Sequence, residues 1–361
     1  MRYDERPFIA IWEITQACDL ACVHCRACAR PERDHGELTT AEGFALLERF
    51  AAARVPLVVL TGGDPAKRPD LLQLVAHGSA CGLHMGLTPS ATELVTTDLI
   101  SGLASARLKR LAVSIDGPEA VTHDEFRGVE GSFDHALRIL REARAAGLST
   151  QVNTTVHAKS IDRLREMADL VAQLGSVLWS VFYVVPTGRA ELGMLPSAEA
   201  VEASLEELSH IAAMAPFAVK TTAAPHYRRV LLERQKTGGA PRHGIYGKDA
   251  DRINDGRGFL FVSHRGAIYP SGFLPIDCGN VRESNPIDVY RGHPVFRDLR
   301  EANLLTGKCA ACEYRRVCGG SRARAYAVEG SMHASDPLCA YVPPGYVPRP
   351  GEARRRLSVL A

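Results

Sequence analysis

The chain has 361 residues, 46% of them hydrophobic and 23% charged, which is long enough for about two cored domains and excludes a disordered or fibrous chain. Its net charge of +2 at pH 7 is too small to advertise a nucleic-acid or membrane-surface partner. No apolar run approaches the roughly 20 residues of a membrane span, and the start MRYDERPFIAIWEIT is too charged for a secretory signal, so a cytoplasmic protein is expected.

Short β-branched runs alternate with helical stretches up to about residue 235. The predicted strands are 8–14, 57–61, 82–88, 109–115, 148–156 and 177–185. Between them, Thr39 and Glu42 form a capping box that opens a helix over 40–53. Phe133, Ala136, Leu137, Leu140 and Ala143 repeat at helical spacing over 132–146, and Gly147 stands at the C-cap. Six β-α units imply parallel strands joined by right-handed crossovers, in an open doubly wound sheet or a barrel. Neither architecture specifies a function. From 236 the texture changes to a Gly-, Arg- and Asp-rich linker ending near 254. Then FLFVSHRGAIYP reads as a hairpin turning at His264, Arg265 and Gly266, with short helices at 293–302 and 321–329. This region is too small for a deep core of its own, and a structural metal would help it fold. The last residues, 346–361, read as a peripheral arm.

Ten cysteines gather in two groups, Cys18, Cys22, Cys25 and Cys28 near one end and Cys309, Cys312, Cys318 and Cys339 near the other. In a reducing compartment such clustering points to metal binding rather than disulfides. Cys81, after a helix, reads as a core residue, and Cys278 as a thiol packed in a turn. The first group has the spacing C-x3-C-x2-C directly after the first strand. Three thiolates can cap three irons of a cubane that normally takes four, leaving one iron open to chelate a small molecule. A zinc completed by His24 or Cys28, or plain reduced thiols, is the alternative, although zinc motifs favour paired CxxC arms and here an unusual x3 gap opens the run. In the second group four thiolates suit a closed cluster or a tetrahedral zinc, and spacing alone does not separate the two.

The loop formed by Cys18, Cys22 and Cys25, with His24 before the third cysteine, resembles that of the radical S-adenosylmethionine (radical SAM) enzymes. The resemblance implies an α/β fold, a partial (β/α)6 TIM-like barrel, with a [4Fe–4S] cluster whose open iron holds SAM. Reductive cleavage of SAM would then give a 5′-deoxyadenosyl radical that abstracts a substrate hydrogen. His24 occupies the place of the commoner aromatic residue and can still lie against adenine. Gly62, Gly63 and Asp64 follow the second strand; the glycines let backbone approach a ligand, and the carboxylate, usually Glu in the family, would receive the SAM ammonium. The resemblance further places Ser114, Asp116, Asn153 and Thr155 near the ribose and Arg127 on the SAM carboxylate, a bidentate pairing. All sit at the C-terminal ends of parallel strands, where such sheets carry ligands.

Cys309, Cys312, Cys318 and Cys339 resemble the SPASM or twitch extension of this family, a small C-terminal cysteine-rich iron–sulfur domain. Ser271, Ser321 and Arg322 stand where further cysteines would hold a second auxiliary cluster, so one auxiliary [4Fe–4S] cluster is expected. The implied division is a barrel over 1–235, a linker over 236–254, the auxiliary domain over 255–345 and a tail over 346–361. The segments IWEITQACDLACVHCRA and GFLPIDCGNVRES look closest to the branch of coproheme decarboxylases and heme d-type enzymes. An oxidoreductase or lyase acting on a small molecule follows, with a tetrapyrrole propionate as first substrate and flavodoxin or ferredoxin as reducing partner. A ribosomally made peptide, a sugar or nucleoside acid, and a non-enzymatic zinc or cluster scaffold are the alternatives. The first strand begins by residue 8, which leaves no room for an N-terminal peptide-recognition domain. His157, Tyr183, Arg189, His226, Tyr227, Arg228 and Arg229 are candidate anchors, the arginines suiting a carboxylate. HYRRVLLERQK also reads as an amphipathic helix with a solvated face. No Ser/His/Asp triad or Walker loop is present.

Overall fold

A computed structural model describes residues 3–236 and 253–347. The strands are β1 (Ile9–Thr15), β2 (Leu57–Gly62), β3 (His84–Leu87), β4 (Arg110–Ser114), β5 (Ser149–Val156), β6 (Leu178–Tyr183), β7 (Ala218–Thr222), β8 (Phe259–Val262) and β9 (Ile268–Tyr269). They form one sheet in the order β7-β6-β5-β4-β3-β2-β1-β8-β9. Each neighbouring pair is parallel except β8 and β9. Sequential order with helical crossovers is the signature of a barrel wall, and its ends at β7 and β9 make it a partial one.

The local reasons are those read from the sequence. Thr39 Oγ1 accepts from Glu42 N at 3.2 Å while Thr39 N donates to Glu42 Oε2 at 2.7 Å, starting the helix Thr40–Ala52. Gly147, at φ +78°, turns the chain out of the helix Ser132–Ala145 into β5. The strands are buried on both faces, as parallel strands under helices must be; Ala10, Trp12 and Ile14 of β1 are fully enclosed. Gly43 is required there, because a Cβ would stand 2.5 Å from the Trp12 ring.

The structure departs from expectation at four places. The sequence reading omits β7, AVKTT, because its residues are half-buried and two of its five are Thr at an edge of the sheet. The expected hairpin forms, but β8 pairs in parallel with β1, Ile9–Trp12 against Phe259–Val262. The helix expected over 293–302 stops at Arg300, followed by a 3-10 turn Ala302–Leu304. Cys81 caps the helix Leu71–Ala80 half-buried rather than in the core, and Cys278 is buried with its sulfur 3.4 Å from Ile276 O. Residues 237–252 of the expected linker and 348–361 of the tail lie outside the described residues. Among the described residues no helix is long and apolar enough to cross a membrane.

Candidate functional site

The cysteine loop leaves the C-terminal end of β1 and returns on itself: Cys18 N donates to Arg30 O at 2.8 Å and Arg30 N to Gln16 O at 3.3 Å. Cys18, Leu20 and Cys22 are buried in one cluster, with Cys25 packed against it, whereas Cys28 is exposed. Backbone amides of Leu20 and Ala29 donate to Cys18 Sγ and Cys25 Sγ at 3.3 and 3.4 Å, and Arg127 Nη1 lies 3.8 Å from Cys22 Sγ. Each thiol thus has a donor aimed at its sulfur, an arrangement that favours thiolate ligands. Burial pushes the Cys18 thiol up.

The glycines after β2 make this loop possible. A Cβ on Gly62 would stand 2.5 Å from Thr15 O, and one on Gly63 would run into the Gln16 and Ala17 carbonyls. Gly63 N and Asp64 N donate to Thr15 O and Ala17 O at 2.8 and 2.5 Å, locking the two turns together. The Asp64 carboxylate is fully buried and accepts from Thr92 Oγ1 at 2.6 Å, Ala66 N at 3.1 Å and Ser90 N at 3.3 Å. Burial raises its carboxyl above the usual range. Ser90 Oγ donates to Gly63 O at 2.8 Å and sits 3.3 Å from Cys18 Sγ, so Asp64 holds the thiol's neighbour.

Beyond β4, Asp116 accepts from Arg127 Nε and from Thr155 N, both at 2.6 Å, and pairs with Arg127 Nη2. Burial would raise the Asp116 carboxyl, but the Arg127 guanidinium outweighs it and holds the group below the usual carboxylate range. Ser114 and Asn153 are register partners on β4 and β5, and Asn153 Oδ1 accepts from Gln151 Nε2 at 2.7 Å. Over this ion pair lie three parallel rings. His24 stacks on Phe126 at 4.0 Å and 9°, and Phe126 on His157 at 4.4 Å and 6°. Burial, with Arg127 beside it, pushes His24 down to about 3, so the ring is neutral at pH 7. Its Nδ1 is buried without a hydrogen-bond partner.

The structure therefore brings Cys18, Cys22, Cys25, His24, Gly62, Gly63, Asp64, Asp116, Arg127 and Thr155 around one loop, with Ser114 at the end of β4 and its register partner Asn153 inside β5 rather than at its end. The anchor candidates divide. Arg189 joins the site, its backbone N donating to Cys25 O at 3.0 Å. Tyr183 and Tyr227 are buried and bonded to Ser204 Oγ and Leu208 O. Arg228 donates to Val317 O, and Arg229 pairs with Glu202 and Glu233. The helix His226–Lys236 does not present a plain solvated face, because His226, Tyr227, Arg229 and Val230 are all buried.

Cys309, Cys312, Cys318 and Cys339 all line one small pocket, partly open to solvent, together with His226, Lys308 and Tyr341. Gly319 and Gly320, both at φ +70°, carry the chain around it. Asp336 fixes the wall: it is fully buried and accepts from Arg324 Nε and Nη2, each at 2.9 Å, and from Ser321 N at 2.7 Å, with His226 Nε2 at 3.3 Å. Ser321 and Arg322 serve the loop here, Arg322 Nη1 donating to Met332 O and Ala334 O. Among the described residues no three His, Cys, Asp or Glu side chains close on a point suited to a single metal ion. Ser90, Thr92, Phe126, Arg324 and Asp336 are absent from the sequence reading, since nothing in their spacing ties them to the cysteines.

The profile of the Radical SAM superfamily matches residues 12–171. The AdoMet-dependent heme synthase of Oleidesulfovibrio alaskensis is 40% identical over 92% of this chain and 87% of its own. That of Methanosarcina barkeri is 37% identical over 93% of this chain and 97% of its own. Among solved structures, Streptococcus suis SuiB bound to S-adenosylmethionine superposes with a TM-score of 0.73 at 16% identity, covering 93% of this chain and 78% of that one; SuiB is also known bound to its precursor peptide SuiA. The partial barrel is thus shared with a protein solved with a bound precursor peptide, while the heme synthases match at 37–40% identity. With a heme synthase matching it at this identity over nearly its whole length, the chain belongs to the radical SAM superfamily, enzymes that work with a [4Fe–4S] cluster and S-adenosylmethionine.

Proposed function

We propose that the protein takes a hydrogen from a propionate side chain of a tetrapyrrole, iron coproporphyrin III in the first instance, and that the side chain then gives up carbon dioxide and one electron, the electron to a one-electron acceptor, to leave a vinyl group on the way to heme. The observation that carries this reading is the identity of 37–40% to AdoMet-dependent heme synthases across 92–93% of the chain. In this reading Cys18, Cys22 and Cys25 hold the SAM-binding cluster, and Cys309, Cys312, Cys318 and Cys339 hold one auxiliary [4Fe–4S] cluster. The donor sets fit: three shielded thiols with an amide or guanidinium aimed at each, beside the partnerless His24 Nδ1, and four thiols around one cavity. The cluster and SAM together supply a carbon-centred radical that abstracts hydrogen.

The chain's own residues do the rest. Gly62 and Gly63 let the turn after β2 press on the root of the cysteine loop, and Asp64, through Ser90, fixes the Cys18 side of it. Asp116 orients Arg127 toward Cys22, placing a cation beside a ligand sulfur. The neutral His24 ring, backed by Phe126 and His157, offers a flat apolar face to adenine without repelling a sulfonium. Ser114 at the end of β4, with Asn153 and Thr155 in the C-terminal half of β5, stand where a ribose would reach. The division at residues 235 and 254, the cytoplasmic setting and a flavodoxin or ferredoxin donor belong to the same proposal.

The test is anaerobic incubation of the reconstituted protein with SAM, dithionite and iron coproporphyrin III. The expected products are 5′-deoxyadenosine, methionine and a porphyrin that has lost carbon dioxide. Formation of 5′-deoxyadenosine with the porphyrin unchanged, but with modification of a short precursor peptide, would move the protein to the peptide-modifying enzymes. No SAM cleavage at all would leave a binding scaffold.

A further inference from the structure

Three arginines that are buried or nearly so spend the same two atoms on a carboxylate. Arg68 grips Asp70 through Nε at 2.9 Å and Nη2 at 2.5 Å, and Arg324 grips Asp336 through the same two atoms at 2.9 Å each. Arg127 likewise spends Nε and Nη2 on Asp116. Arg189 differs from these three: its Nε and Nη2 are both buried, and neither has a hydrogen-bond partner among the described residues, whereas Arg322, which also leaves its Nη2 unmet, spends Nε and Nη1 on backbone carbonyls. Leaving such donors unmet is costly, and more so for a charged group, so an orphaned fork asks for an explanation.

The backbone that carries the fork is fixed. Gly188, at φ +70°, lies so close to the Cys25 and Arg26 carbonyls that a Cβ would strike both. Arg189 N donates to Cys25 O at 3.0 Å, and the Arg189 guanidinium lies near the His24 ring. The edge of a guanidinium that binds carboxylates in two parallel hydrogen bonds is therefore held beside the cysteine loop. Arg127 is already committed to Asp116.

We propose that Arg189 is a carboxylate receptor of the active site, taking its anion through Nε and Nη2. Two carboxylates come within its chemistry, a propionate of the porphyrin, which rests on the function proposed above, and the methionine carboxylate of SAM.

The experiment uses the cluster-loaded full chain and its Arg189→Met and Arg189→Lys variants. SAM affinity is measured by equilibrium dialysis, iron coproporphyrin III affinity by Soret titration, and stability by thermal unfolding. Arg189→Met should weaken one of the two ligands about tenfold or more, with part of the loss recovered by Arg189→Lys and the melting temperature not lowered, since an unpaired buried cation has been removed. A loss confined to the porphyrin identifies the propionate, and one confined to SAM identifies the methionine carboxylate. Affinities for both within twofold of the unaltered enzyme overturn the proposal, as does a lowered melting temperature with both ligands weakened alike, the mark of a merely structural arginine. If the unaltered enzyme itself fails to bind the porphyrin, the functional reading falls, and Arg189 is then judged on SAM affinity alone by the same two criteria.

Discussion

Replacing Asp116 by Asn tests whether the Arg127–Asp116 pair is a structural load at the site. The carboxylate has no solvent-exposed surface on its side chain, and it receives two bonds from Arg127 and one from Thr155 N. Asparagine keeps one acceptor oxygen for the Thr155 amide but turns an NH2 toward a guanidinium that is only 13% exposed. Stranding one member of a buried pair costs about 3–5 kcal/mol. At roughly 1–2 °C per kcal/mol for a chain of this size, the melting temperature should fall by roughly 3–10 °C. The paired change Asp116→Asn with Arg127→Met removes the stranded charge as well, and should recover a substantial part of that loss. Thermal unfolding of the three variants, followed by circular dichroism under identical anaerobic conditions, gives the cycle. A single variant as stable as the unaltered protein, or a double variant no better than the single, would refute the reasoning.

Gly63→Ala should cost about 1–3 kcal/mol from overpacking and deprive the first cluster of most of its iron, because the new methyl meets the Gln16 and Ala17 carbonyls; iron analysis and SAM-dependent spectra check it. Cys309→Ala with Cys318→Ala should lower iron from about eight to about four atoms per chain while 5′-deoxyadenosine still forms. Iron staying near eight would remove these cysteines from the auxiliary site. Arg282, donating to Glu42, holds that carboxyl down at about 2. A carboxyl lowered in the folded state stabilises fully above the unfolded value near 4.5 and loses this contribution as pH falls toward 2. Acid titrations of stability should therefore show Glu42→Gln trailing the unaltered protein at pH 6 by no more than about 1 kcal/mol, the worth of an exposed pair, and matching it near pH 2.

Much of the barrel was legible because parallel strands announce themselves as β-branched runs and their helices carry caps; Thr39 with Glu42 and Gly147 are placed as their chemistry requires. The grouping of the cysteines was legible through spacing, and the fold brings Cys309, Cys312, Cys318 and Cys339 to one pocket although Cys339 is distant in sequence. What the sequence hides is partnership across the chain. Asp64 reads as a ligand-facing carboxylate, but only the fold reveals Thr92 and Ser90 on its oxygens. Asp336 is unremarkable in ASDPLC until Arg324, Ser321 and His226 converge on it. His226 itself sits in a helix whose charges suggest a wet surface, and its burial comes from a wall contributed a hundred residues later.

The seam between β1 and β8 has a practical corollary. Cutting the chain after residue 236 would strip the hydrogen-bonding flank from Ile9–Trp12, a flat and largely apolar ribbon with no lysine, proline or bulge there to deter a stranger. Such naked flanks recruit one another. A truncated barrel would be expected to precipitate or to pair with its own copies, and its inactivity would say nothing about whether the auxiliary cysteines matter to turnover.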